Sequence, residues 1–191
     1  MVEVYGRMFP VSSRPSSLKT KLKEKIFMKM KRQKTQFIVK AALIAALYVV
    51  LTGVSAMFNL SSGVVLLRLS EALTILPLFT PAAIPGLFFG CALSNFLYGA
   101  LPLDVLFGSI ATLIGAFGTY YIGRVSKYLA PIPPILANTV IVPLVLKYVY
   151  CLSGGIPFFA LTVFIGEVLS CGVLGLLLMY AMPKHLKEQL K

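Results

Sequence analysis

Apolar runs long enough to cross a bilayer recur along this 191-residue chain, and no other feature narrows its fold as far. A transmembrane helix needs about 20 mostly apolar residues to cross a hydrocarbon core of roughly 30 Å. Residues 37–57, 83–100, 103–123, 132–152 and 157–182 meet that length closely. Residues 64–80 are apolar enough for a second span but contain Arg68 and Glu71, and Pro77 predicts a kink there. The chain is 58% hydrophobic and 13% charged, against about 25% charged in ordinary soluble domains. The expected fold is an all-α integral membrane protein, a six-transmembrane-helix bundle over residues 37–183. A basic, polar segment (1–36) precedes it and a short polar tail (184–191) follows.

The net charge of +12 is unevenly placed. Eleven of the 18 Lys and Arg residues lie in the first 40 positions, against Glu3 and Glu24. A basic block beside an apolar run marks the cytoplasmic side of a membrane protein and suits anionic headgroups. No aromatic-interleaved basic face follows it, so nucleic acid is not an expected partner. Six spans put the basic block, the Arg124–Lys127 loop and the tail with Lys184, Lys187 and Lys191 on one side. The opposite loops, near 58–67, 101–103 and 153–156, hold no Lys or Arg. Both termini are therefore expected in the cytoplasm, with the chain multi-pass in the cell membrane. The basic segment shows no secretory signal. Its pattern over 18–34 fits a loose amphipathic helix on the membrane surface, and Met28 and Met30 offer alternative starts.

Charges inside spans are expensive and ask for a reason. Arg68 and Glu71 open the second span, Asn95 lies late in the third, and Asp104 opens the fourth. Lys147 lies late in the fifth, and Glu167 sits about ten residues into the sixth, roughly 15 Å deep at helical rise. On the six-span topology all six fall in the outer half or near the midplane; Asn138 alone is deeper. That bias fits a polar cavity open to the outside better than scattered structural groups or a charge path through the membrane. Structural alternatives exist for some of them. Arg68 and Glu71 can pair at i, i+3, Asp104 can cap the helix after Pro102, and Lys147 can snorkel. Glu167, mid-span in FIGEVLSCG, needs a cation or a hydrogen-bonding ligand.

Other features carry less. Ala41, Ala42, Ala45 and Ala46 form two overlapping small-xxx-small pairs on the first span. They serve close packing in the bundle or docking of another membrane protein. Cys91, Cys151 and Cys171 sit in apolar stretches without metal-like spacing, and the single histidine, His185, is in the tail. The cysteines read as small buried residues, with neither a disulfide framework nor a zinc site expected. No Ser–His–Asp arrangement, P-loop or HExxH motif is present, so no catalytic role is expected and any ATP is used by another chain.

Several segments carry a family resemblance. RLSEALTILP (68–77), IPGLFFGCALSN (84–95), LDVLFGSIATLIGA (103–116), ANTVIVP (137–143) and FIGEVLSCGVLG (164–175) stand in family order. Over about residues 37–183 the chain resembles the queuosine precursor transporter (QueT) family, substrate-binding S components of energy-coupling factor (ECF) transporters. The resemblance implies a six-helix membrane protein with a micronutrient pocket near the outer face. It implies a transmembrane coupling protein and two ATPase subunits as partners, no cofactor in this chain, and a 7-deazapurine cargo. That cargo would be an aminomethyl-deazaguanine or queuine. The alanines at 41, 42, 45 and 46 resemble the AxxxA motif that contacts the coupling protein. Glu71 and Glu167 become candidates for the guanine-like edge and the cationic aminomethyl group, with Asp104 in reserve. Asn95 and Asn138 suit the purine carbonyl and ring nitrogen, and Arg68 orients Glu71 or meets the carbonyl. The alternatives are an S component or carrier for another vitamin-like molecule, or an accessory membrane protein without a small-molecule ligand.

Overall fold

The structure, a computed structural model, describes residues 14–58, 67–183, 185, 187 and 188, with side chains from residue 23 onward. All regular structure among these residues is helical. The chain divides into two compact units, residues 1–38 and 39–191. Helix α1 (Arg14–Met57) begins in the first unit, where residues 23–38 are all exposed. The helix expected over 18–34 lies within α1.

The second unit continues α1 and adds a 3₁₀ helix (Leu69–Leu78), α2 (Ala83–Leu97), α3 (Pro102–Val125) and α4 (Ile132–Tyr148). Its last helical rod is α5 (Ile156–Glu167), a π-helical stretch (Val168–Leu174) and α6 (Gly175–Ala181). Prolines in the first turns of α3, α4 and α5 start those helices, where a missing N–H does no harm. Gly99, at φ 79°, takes the left-handed conformation that lets the chain turn after α2. Four stretches are long and apolar enough to cross a membrane: Lys23–Met57, Pro102–Val125, Lys127–Tyr148 and Ile156–Ala181. The 3₁₀ helix and α2 are shorter, at 10 and 15 residues.

Two expectations need correction. The second apolar segment is not a kinked α-helix over 64–80: its described part is a 3₁₀ helix, and residues 64–66 lie outside the described residues. Ten 3₁₀ residues span roughly 20 Å, well short of a bilayer core. The local reasons are visible in its bonds. Glu71 N–H reaches the Arg68 carbonyl and Phe79 N–H the Leu76 carbonyl, both at i→i+3. Pro77 removes one donor from any α-helical ladder. The second correction concerns Cys151, which is exposed in the loop after α4, whereas Cys91 and Cys171 are buried.

Small residues bring the helices close. A Cβ on Gly86 would lie 2.7 Å from the Ala41 carbonyl oxygen, and one on Gly90 would lie 3.0 Å from the Ala45 Cα. A Cβ on Gly115 would lie 2.7 Å from Pro134, so α3 and α4 touch there backbone to backbone. Tyr48, Leu73, Leu76, Ile84, Leu87 and Ala116 belong to the apolar core. Large apolar side chains such as Leu43, Phe89, Leu106, Val140 and Leu177 are exposed on the outer surfaces of their helices. In water such a surface would be a liability; against lipid tails it is the expected solvent-facing side.

Candidate functional site

The polar residues of the apolar segments meet in a cavity of about 280 Å³ at the end of the bundle where α3 begins and α4 finishes. Arg68 and Glu71 reach it from the 3₁₀ helix, Asp104, Gly108 and Thr112 from α3, and Asn138 from α4. Tyr150 comes from the loop after α4, and Glu167 from the end of α5. Helical spacing explains the convergence. Residues 104, 108 and 112 recur every four positions along one face of α3, and Val163 and Glu167 do the same on α5.

Glu71 is 2% exposed and Glu167 6%. A bare carboxylate in such a place is strongly disfavoured, so partners are required. Glu71 Oε1 accepts from the Tyr48 hydroxyl. Its Oε2 is buried and has no hydrogen-bond partner among the described residues. Glu167 Oε1 accepts from the Asn138 side-chain amide at 2.9 Å, and its Oε2 lies 3.1 Å from the Cys171 Sγ. One oxygen of Glu71, one of Glu167 and the Cys171 sulfur all lie within 4.8 Å of one another. Cys171 follows Glu167 by four residues and sits in the π-helical stretch, a distortion common at functional sites.

The 3₁₀ helix that carries Glu71 is pinned to α1 by three polar side chains at i, i+4 and i+7. Ser55 Oγ accepts the Leu69 N–H at 2.9 Å, Thr52 Oγ1 lies 2.9 Å from Ser70 Oγ, and Tyr48 holds Glu71. Residues 70–77 are all buried, so this irregular backbone meets protein rather than lipid. Within a membrane, non-helical or tightened backbone is tolerated only in that setting.

The sequence candidates divide by position. Arg68, Glu71, Asp104, Asn138 and Glu167 line the cavity. Asn95 stands one step back: its Oδ1 accepts from Arg68 Nη1 at 3.4 Å, and it packs where a Gly108 Cβ would come within 3.0 Å of its amide nitrogen. The hydrogen bond of Arg68 goes to Asn95, not to Glu71 as i, i+3 pairing would have it. Asp104 Oδ2 accepts from the Tyr150 hydroxyl at 2.8 Å, a bond at the rim of the cavity and not a cap of α3. Lys147 is half-buried on α4 and does not line the cavity. The alanines separate by face: Ala41 and Ala45 pack against the glycines of α2, while Ala42 and Ala46 are exposed.

Tyr48, Thr112, Tyr150 and Cys171 escaped the sequence reading. The i+4 and i+8 positions after Asp104 and the i+4 position after Glu167 were a usable signal for three sites: Gly108, Thr112 and Cys171. No comparable signal marks Tyr48 or Tyr150.

Comparison with known proteins bears on this arrangement directly. The profile of the QueT transporter family matches residues 38–184, most of the chain. The chain belongs to the QueT transporter family. No curated protein and no solved structure matches it. Membership makes it a membrane transport protein, in keeping with the exposed apolar helices. The match takes in every residue that lines the cavity, and residues 1–37 lie outside it.

Proposed function

We propose that this QueT-family chain is the substrate-binding S component of an ECF importer, and that its cavity binds a 7-deazaguanine base bearing an aminomethyl group. The observation that carries the reading is the pair of buried carboxylates, Glu71 and Glu167, that line one cavity, the first from the 3₁₀ helix and the second from the end of α5. A guanine-like edge presents a ring N–H beside an exocyclic amino group, which one carboxylate accepts in a bidentate manner. The free Oε2 of Glu71 suits that donor edge. The ammonium of the aminomethyl group then meets Glu167. Asn138 and Arg68 complete the polar wall toward the purine carbonyl and ring nitrogen. Asn95 serves indirectly, by orienting Arg68. Among the described residues Tyr150 is the one aromatic side chain on the lining, and its ring would cover a flat base at the rim.

Charge points the same way. One guanidinium, Arg68, faces three carboxyl groups, Glu71, Asp104 and Glu167, so the cavity suits a cationic cargo and repels an anionic one. Selectivity against bases lacking a donor would be large, because a buried carboxylate left unpaired is heavily penalised.

The chain performs no bond chemistry on the cargo. Binding occurs from outside, and reorientation is driven by ATP turnover in two partner ATPase subunits through a transmembrane coupling protein. The six apolar helical segments and the charge asymmetry of the loops support six passes with both termini in the cytoplasm. The 3₁₀ helix then forms the short second pass, packed against α3, the π-helical stretch and α6 and bonded to α1. Ala42 and Ala46 form the exposed part of the coupling motif, while Ala41 and Ala45 secure α1 to α2. Titration of the purified protein with 7-aminomethyl-7-deazaguanine, queuine and guanine tests the cargo. Saturable binding of an amine-bearing deazaguanine, tighter than guanine, is expected; binding of an unrelated vitamin alone would assign a different cargo. Ala46→Phe should leave that binding within about twofold and prevent co-purification with the coupling protein.

A further inference from the structure

Two of the carboxyl groups that line the cavity share a neighbour that does not line it, Cys171, and the three make a donor set that a purine does not require. Glu71 and Glu167 offer hard oxygen atoms and Cys171 a soft sulfur, all within 4.8 Å of one another. These residues come from two separate segments: the Cys171 sulfur lies 3.4 Å from the Glu71 carbonyl, 100 positions away in sequence. All three residues are more than nine-tenths buried, and Glu71 Oε2 has no hydrogen-bond partner among the described residues. Thr74 Oγ1 lies 3.3 Å from the same sulfur and fixes its position.

We propose that Glu71, Glu167 and Cys171 form a binding site for a thiophilic divalent cation of the zinc and cadmium class. Bonds of about 2.0–2.2 Å to oxygen and 2.3 Å to sulfur place neighbouring tetrahedral ligands roughly 3.3–3.7 Å apart. The Cys171 to Glu167 separation of 3.1 Å is already near that range, and small side-chain shifts bring in Glu71. A thiolate with two carboxylates selects borderline and soft metals, whereas magnesium and calcium call for oxygen ligands alone. Three protein ligands leave a fourth tetrahedral position facing the cavity, open to water. On binding, the Cys171 S–H bond breaks, a sulfur–metal bond forms, and the proton leaves to water through the cavity. No oxidation or reduction is involved. The spacing of the cysteines in sequence gave no hint of such a site because its other donors are Glu71, far off in the chain, and a carboxylate one helical turn away.

The metal site stands on geometry alone. A consequence rests on the cargo reading above: because both would use Glu71 and Glu167, metal and deazapurine should exclude each other.

The test uses the full-length, tag-free protein purified without metal and titrated with zinc and then cadmium. One equivalent of each is expected to bind, cadmium with the ultraviolet charge-transfer absorption of a thiolate complex. Magnesium at the same concentrations should not bind. Cys171→Ser should weaken zinc at least tenfold and abolish the cadmium absorption; Cys151→Ser, in the exposed loop, should change neither. If Cys171→Ser does not fold, Glu167→Gln provides a second variant, expected to weaken zinc at least tenfold. No cadmium–thiolate absorption in the folded wild type, or a signal that disappears with Cys151→Ser, overturns the proposal. Deazapurine binding without metal binding overturns the metal site alone. Metal binding without any deazapurine binding overturns the cargo reading alone.

Discussion

Two hollows flank α4, and they differ in almost everything except the residue they share, Val145. The polar cavity, about 280 Å³, has four charged side chains, Asn138 and Thr112 on its lining, beside apolar ones such as Val142, Leu146 and Val163. The other hollow is larger, about 470 Å³, and lies between α3 and α4. Its lining is apolar throughout apart from the edge of Tyr148: Phe107, Ile110, Ile141, Leu144, Val145 and Val149. Volume alone would choose the wrong one. A groove of that composition is what lipid tails fill between neighbouring helices, whereas desolvated carboxylates persist only where something needs them.

The contrast predicts a graded series of effects on cargo binding. Glu71→Gln and Glu167→Gln should be the most damaging, each losing about 2–5 kcal/mol, or roughly 30-fold or more in affinity. Isothermal titration of the purified variants checks this, with thermal melts to show that folding is intact. Tyr48→Phe removes the hydroxyl that holds Glu71 without touching the cavity wall, and about tenfold weaker binding is expected. Tyr150→Phe breaks the hydrogen bond to Asp104 at the rim, for an expected loss of about threefold to tenfold. Ile141→Ala, in the apolar groove alone, should leave cargo affinity within about twofold. A large loss from Ile141→Ala, with Glu167→Gln silent, would reverse the comparison.

How much of this was legible follows from how each residue advertises itself. A charge in an apolar run stands out because it is costly, so Arg68, Glu71, Asp104 and Glu167 were visible from sequence. Tyr48, Thr52 and Ser55 were not. Hydroxyls satisfy themselves on their own helix's carbonyls, as Thr52 and Ser55 also do here, and raise no alarm in a membrane span. The 3₁₀ geometry of 69–78 was hidden for a different reason. LSEALTILPL is composed mostly of good α-helix formers, and tertiary bonds from α1, with Pro77, decide the tighter winding. Asn95 shows a third limit: polarity in a span marks a residue as important without saying whether it touches the cavity or holds the residue that does. The alanine pairs likewise gave a spacing but not a face, and only the glycines of α2 separate Ala41 and Ala45 from Ala42 and Ala46.

The central claim is that two buried carboxylates on one cavity bind an amine-bearing deazaguanine. Its most direct test is a calorimetric titration of wild-type protein, Glu71→Gln and Glu167→Gln with 7-aminomethyl-7-deazaguanine. One-to-one saturable binding by the wild type, weakened roughly 30-fold or more in each variant, is the predicted result. Equal affinity in all three proteins, or no saturable binding by a folded wild type, would contradict it.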